Sequence, residues 1–190
     1  MARSFALVRV AVPVRAAGRV WWWLGVLSAA VGVFVPGFTG RRIGLLAGAA
    51  AFLVAAAVAF LVRRKRYGRL AAAASRAGKS VILQDRAVTV RVWRRDRRWW
   101  FPVALVLAIG SSAGAPATAG LLLAGVGAGL WLKAVGLGRW ERAHGVLLWV
   151  RPEFARRSPA AAAVPGWLTT GPAAGDARPG GARRRALARV

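Results

Sequence analysis

The sequence predicts an all-α membrane protein: four transmembrane helices paired as two helical hairpins, with a small cytoplasmic β-hairpin or sheet drawn from 80–93 and 146–150. Three observations predict it. The chain is 57% hydrophobic, yet it carries 30 Lys and Arg in 190 residues. Those cations fall in blocks separated by nearly charge-free stretches of membrane-spanning length. Joints rich in Pro and Gly divide the apolar stretches into pairs.

Composition bounds the class first. Only Asp85, Asp96, Glu141, Glu153 and Asp176 oppose the cations, which leaves a net charge of +25. A soluble surface would intersperse both signs. So large an excess needs an anionic counterpart, and lipid headgroups, nucleic acid and acidic proteins are the candidates. Cysteine is absent, which excludes disulfides, thiolate metal sites and thiol nucleophiles. Asn is absent too, while Arg, Ala, Gly, Pro and Trp abound. That bias is expected of a GC-rich bacterial genome, so part of the preference for Arg over Lys is mutational. No catalytic, metal-binding or cofactor constellation is present, so the expectation is a protein that is not an enzyme and needs no cofactor.

Bilayer dimensions fix the elements. A hydrocarbon core of about 30 Å needs roughly 20 residues at about 1.5 Å rise. The chain then divides into a basic N-terminal segment (1–19), a first hairpin (20–62, spans 20–38 and 43–62), a basic loop (63–98), a second hairpin (99–137, spans 99–115 and 117–137), a basic interfacial segment (138–157) and a disordered basic tail (158–190). Pro36, Gly37 and Gly40 break the first pair of spans, and Gly114, Ala115 and Pro116 the second. A cleaved signal peptide fits the N-terminus less well, because the polar lead is long and the apolar run exceeds the usual ~7–15 residues.

Orientation follows from the retention of Lys and Arg on the cytoplasmic side. The N-terminal segment holds four (Arg3, Arg9, Arg15, Arg19), the 63–98 loop thirteen and the chain from Gly138 ten, against Arg41 and Arg42 in one outer turn and none in the other. Both termini and the central loop are therefore expected inside a multi-pass cytoplasmic (inner) membrane protein. Trp21, Trp22 and Trp23, Trp99 and Trp100, and Trp131 mark the same inner interface, where the amphipathic indole settles.

The spans hold no carboxylate of the sort that marks a proton or ion path. Ser28, Ser111, Ser112 and Thr118 can bond their own backbone, and Lys133 is expected to snorkel. Gly44/Gly48, Gly110/Gly114 and Gly125/Gly129 have G-x-x-x-G spacing, with Gly25/Ala29 a weaker relative. Such spacing lets helices approach closely. Packing within the hairpins is the first reading, and a homo-oligomer or another membrane protein as partner is the second.

In the central loop, Arg63, Arg64, Lys65 and Arg66 form a stop-transfer cluster on anionic lipid, continued by a helix to about Ser75. Ser80–Gln84 and Ala87–Trp93 read as two strands around Asp85-Arg86, because Val88, Val90 and Val92 alternate with Thr89 and Arg91. A third strand is available at 146–150. The stretches 76–83 and 142–148 also resemble one another, which suggests a duplicated unit of hairpin plus strand.

Arg94, Arg95, Arg97 and Arg98 with Trp99 and Trp100 have the makings of a nucleic-acid patch. Their place at a span's entrance favours a lipid anchor, and nucleic acid is not expected as a partner. His144 has no ligand partners in sequence, and Glu141 beside Arg142 is expected to form a weak local ion pair. In the tail, Trp167-Leu168 is the one apolar pair. The resulting expectation is an accessory or scaffold protein that uses a basic cytoplasmic face to bind anionic headgroups or an acidic partner. An oligomeric pore-forming or transport subunit, holin-like or part of a small exporter, is the alternative, and a membrane tether for DNA in conjugative transfer a minor one.

Overall fold

A computed structural model describes residues 6–78, 82–151 and 167–171, and it is mostly helical with a small mixed sheet. The chain divides into two compact units. One is a helical unit, Val14–Val62 with Arg94–Val135; the other is a sheet unit drawn from Met1–Pro13, Arg63–Trp93 and Gly136–Val190.

The helical unit contains most of α1 (Ala11–Gly32), all of α2 (Arg41–Leu61) and α5 (Trp100–Gly110, extended by a 3-10 turn Ser111–Ala113), and most of α6 (Thr118–Ala143). Each overlaps a stretch expected to span. Two are long and apolar enough to cross a membrane by length and composition, namely α6 and the stretch Arg41–Ala72, whose apolar part is α2. Trp100–Ala113 is a shorter apolar helix. α1 starts nine residues before the expected span at Val20, so it takes in Arg15 and Arg19. Only 6% of the apolar window of α2 is buried, which is unlike the core helix of a soluble protein.

The helices pack through glycine rather than through large apolar side chains. A Cβ added to Gly25 would fall on the backbone of Ala124, one at Gly120 on Ala29, and one at Gly127 on Trp22, so α1 and α6 meet backbone to backbone. Equivalent additions at Gly125 and Gly129 would strike the carbonyl oxygens of Phe52 and Ala56, and one at Gly44 would lie 2.8 Å from Pro116 O. α6 thus presents one small-residue row to α1 and another to α2. Large apolar side chains point outward: Leu46 is 74% exposed, Leu53 67% and Val106 67%. An interior of glycine and an exterior of Leu and Val suits lipid, where apolar side chains gain nothing by hiding and close backbone contact drives association.

Both interhelical turns belong to one end of this unit. Phe38 N donates to Ala113 O (3.1 Å) and Thr39 N to Gly114 O (3.3 Å). Thr39 Oγ1 adds a bond to the same Gly114 carbonyl (3.2 Å). Ser28, Ser111 and Ser112 bond carbonyls three or four residues back, as expected. Thr118 departs from that expectation and bonds Gly44 O on α2 at 3.0 Å. Lys133 donates to Val62 O at 2.8 Å, so its cation meets the carbonyl just past α2.

The sheet unit has strand order β1-β3-β4-β2, with β1 Val8–Arg9, β2 Ser75–Arg76, β3 Leu147–Val150 and β4 Leu168–Thr170. β3 is antiparallel to both β1 (Val8↔Val150) and β4 (Leu148↔Thr169), and β4 runs parallel to β2 (Ser75↔Leu168). Every residue of β3 is buried, because the sheet is covered on both faces. Leu148 and Val150 pack with Val10, Tyr67, Ala71 and Trp167, backed by Leu137 and Trp140; Leu147 and Trp149 pack with Leu7, Leu83 and Leu168. Burial on both faces is why the segment reads as a continuous apolar run rather than an alternating one.

Several expectations for this unit are corrected. Residues 87–93 are not a strand but part of the helix α4 (Arg86–Asp96). The valine alternation is real, but Thr89 and Trp93, four apart, are the buried pair, and tertiary burial overrides β-branched preference. Thr89 N and Oγ1 both bond Asp85 O at 3.0 Å, and Asp85 stands just before the helix, where an acid is favoured. Ser80 and Val81 lie outside the described residues; the chain after them pairs with the N-terminal segment, since Leu7 N donates to Ile82 O and Gln84 N to Leu7 O, both at 2.8 Å. The helix expected to run to Ser75 is α3, Arg64–Ala72, and Ser75 already belongs to β2.

The disordered reading of the tail fails at 167–171. Trp167 is buried, meets Tyr67 edge to face at 5.6 Å, and leads into β4. The rest of the tail beyond 157 lies outside the described residues. The two stretches read as a duplication differ at their aligned starts, since Arg142 is in the last turn of α6 whereas Arg76 lies in β2, and 79–81 lie outside the described residues.

Candidate functional site

Three features carry the chemistry of this chain: a polar node in the sheet unit, basic clusters that occur separately in each unit, and a glycine seam in the helical unit. The first is a buried polar node in the sheet unit. Arg9 Nη2 donates to Glu141 Oε2 at 2.6 Å, and Arg9 Nε to Oε1 at 3.4 Å. Leu148 N donates to Oε1 at 3.1 Å. The Glu141 side chain is 1% exposed and that of Arg9 30%. One carboxylate therefore ties β1, the end of α6 and β3 together. This corrects the expected Glu141–Arg142 pair: Arg142 sits on the exposed side of the helix and bonds Gly138 O at 3.3 Å. The sequence hid the partner because it lies 132 residues away.

The second feature is a pair of basic clusters, one in each unit. Arg63, Arg64 and Lys65 are exposed and Arg66 half-buried at the start of α3, whose Tyr67 and Ala71 face the core. Arg63 takes a left-handed conformation (φ 60°), which turns the chain between α2 and α3. In the helical unit, Arg94 and Arg95 are exposed in the last turn of α4. Arg97 is partly buried, and that burial lowers its pKa against the opposing pull of Asp96. The Arg98 guanidinium lies 5.4 Å from the Trp99 ring. Trp99 and Trp100 are 72% and 67% exposed. Cations beside unburied indoles suit the headgroup layer, where the ring needs an apolar side and a wet edge. His144 is exposed and stacks on Trp140 at 4.1 Å.

The third arrangement is the glycine seam. Gly44 meets Pro116 and Gly48 meets Thr118 and Leu121, whereas Gly125 and Gly129 meet Phe52 and Ala56 of α2, so both spaced pairs line this contact at successive levels rather than opposite one another. A Cβ added at Gly110 would meet open space and one at Gly114 only Ser111 of its own turn, so this pair forms no close helix–helix contact of the kind seen at Gly125 and Gly129, and Gly114 joins the other turn through its carbonyl alone. Sequence spacing missed Gly18, Gly120 and Gly127. Gly120 and Gly127 are seven apart, two helical turns, and that offset from Gly125 and Gly129 was the available signal for a second face.

Compared with known proteins, the chain matches no family model, no curated sequence and no solved structure.

Proposed function

We propose that this chain is a four-span inner-membrane protein with both ends and the 63–98 loop in the cytoplasm. In this reading it is a non-enzymatic accessory or scaffold protein whose basic cytoplasmic face engages anionic lipid or an acidic partner. The observation that supports it is the closure of the sheet. β1 precedes α1, β2 lies between α2 and α5, and β3 follows α6, yet all belong to one sheet. Paired strands must lie on one side of any membrane the chain crosses. The number of crossings between Arg9 and Ser75 is then even, and so is the number between Arg76 and Leu147.

α2 lies in the first interval and α6 in the second. If they cross, each needs a companion, and α1 and α5 are the apolar helices available. Trp100–Ala113 reaches only about 20 Å at about 1.5 Å per residue, short of a core of about 30 Å, a mismatch that local thinning of the bilayer can absorb. The excess of basic residues on the sheet side supports a cytoplasmic assignment for it. Within Val14–Val62 and 99–135 no acidic residue appears, which disfavours a proton-coupled path.

Two measurements on induced cells test this. The protein should resist extraction by alkaline carbonate, and a potential-sensitive dye should show no depolarisation beyond the uninduced control. Release into the carbonate supernatant would contradict an integral protein, and rapid collapse of the potential would transfer the assignment to the pore-forming alternative.

A further inference from the structure

The helical unit contains a cavity of about 500 Å³, within the ~300–1,000 Å³ range of small-ligand sites. Its walls are Trp22, Trp23, Phe52, Trp131 and Leu132, and its one charged lining residue is Arg19. Arg19 is exposed and has no hydrogen bond or ion pair within the described residues. Arg15, one turn earlier on the same face of α1, is in the same position.

Continuing by fours along that face, Trp23, Leu27 and Val31 are 57%, 55% and 48% exposed. The stripe therefore runs from cation to cation to indole to aliphatic to aliphatic. A phospholipid has the same order of groups along its length, from phosphate through ester carbonyls to hydrocarbon chain. A free anion would use only the first two positions, and an apolar peptide would have no use for them.

We propose that this groove holds one anionic phospholipid of the cytoplasmic leaflet, its phosphate on Arg15 and Arg19 and an acyl chain between Trp23, Trp131 and Phe52. The proposal rests on the membrane reading above and narrows its lipid partner to one site. Gly127 is what brings Trp22 and the backbone of α6 together at the base of the groove.

The test uses the full chain in phosphatidylcholine nanodiscs doped with phosphatidylglycerol that carries a photoactivatable group on its acyl chain, with adducts mapped by mass spectrometry. Adducts are expected on 22–23 and 131–132, several-fold more abundant than with the equivalent phosphatidylcholine probe. The double variant Arg15→Gln/Arg19→Gln, which changes two exposed side chains, should lower the phosphatidylglycerol adducts there on the order of tenfold and leave phosphatidylcholine labelling unchanged. Equal labelling by the two probes, or labelling insensitive to the double variant, would overturn the site in favour of an unselective lipid annulus. Absence of adducts on 22–23 and 131–132 from either probe, with Leu53 and Val54 of α2 still labelled, would overturn it in favour of a protein interface that covers the groove. Failure of the membrane reading itself would look different, as an absence of adducts on the outward residues Leu53 and Val54 of α2.

Discussion

Replacing Glu141 by Ala is expected to unfold the sheet unit while the helical unit persists. The change removes the carboxylate that Arg9 and the amide of Leu148 share, and Leu148 is fully buried. Breaking a buried ion pair by deleting one member costs about 3–5 kcal/mol, and the partial exposure of Arg9 places the expectation near the lower end. Tryptic cleavage after Arg76, on the edge strand β2, should accelerate on the order of a hundredfold in the native protein, since cleavage tracks the population of the opened form. Glu141→Gln can still accept from Leu148 N and should give a smaller acceleration. The pair Arg9→Met/Glu141→Met, which leaves no orphaned charge, should recover part of the loss. Unchanged cleavage in Glu141→Ala would show that the node does not hold the three segments together.

The second large effect is expected at Gly127. A Val there would place its Cβ on the Trp22 backbone nitrogen, which no rotamer change can relieve, so α1 and α6 must separate. Overpacking against side chains costs about 1–3 kcal/mol, and against backbone the cost should reach at least the top of that range. Gly110→Ala is the contrasting change, because space at Gly110 is open. Titration of the detergent-solubilised protein with dodecyl sulfate should show Gly127→Val losing helical packing at much lower denaturant than the wild type, with Gly110→Ala close to it. Equal behaviour of the two variants would mean that the seam is not the packing interface.

Neither Gly127 nor the partner of Glu141 is marked in the sequence, although much around them is. The apolar stretches, the Gly and Pro joints and the small-residue spacings Gly44/Gly48 and Gly125/Gly129 follow from local composition and spacing, because helix periodicity and span length are local properties. The strand at 147–150 was legible for the same reason. Its neighbours were not, since Val8-Arg9 and Leu168–Thr170 are too short to carry a periodic signal and are joined to it only in space. Residues 86–96 failed differently. Val88, Val90 and Val92 satisfy the strand period, and only the burial of Thr89 with Trp93 selects the helix. In sequence Glu141 has only its neighbour Arg142 to pair with, because a partner 132 residues away leaves no trace in one sequence. The groove on α1 combines both cases: its stripe from Arg15 to Val31 is visible by fours, but its opposite wall, Trp131 and Leu132, belongs to another helix.

We propose four membrane crossings with the sheet on the inside, and the absence of cysteine makes that topology directly measurable. Single substitutions Arg42→Cys and Gly114→Cys report the two turns that meet at one end of the helical unit, and Gly68→Cys and Gly171→Cys report the sheet unit at open, exposed positions. With a membrane-impermeant maleimide, the first two should label in intact cells and the second two only after permeabilisation. Labelling of Gly68→Cys or Gly171→Cys in intact cells, or protection of Arg42→Cys or Gly114→Cys, would contradict the four-span account.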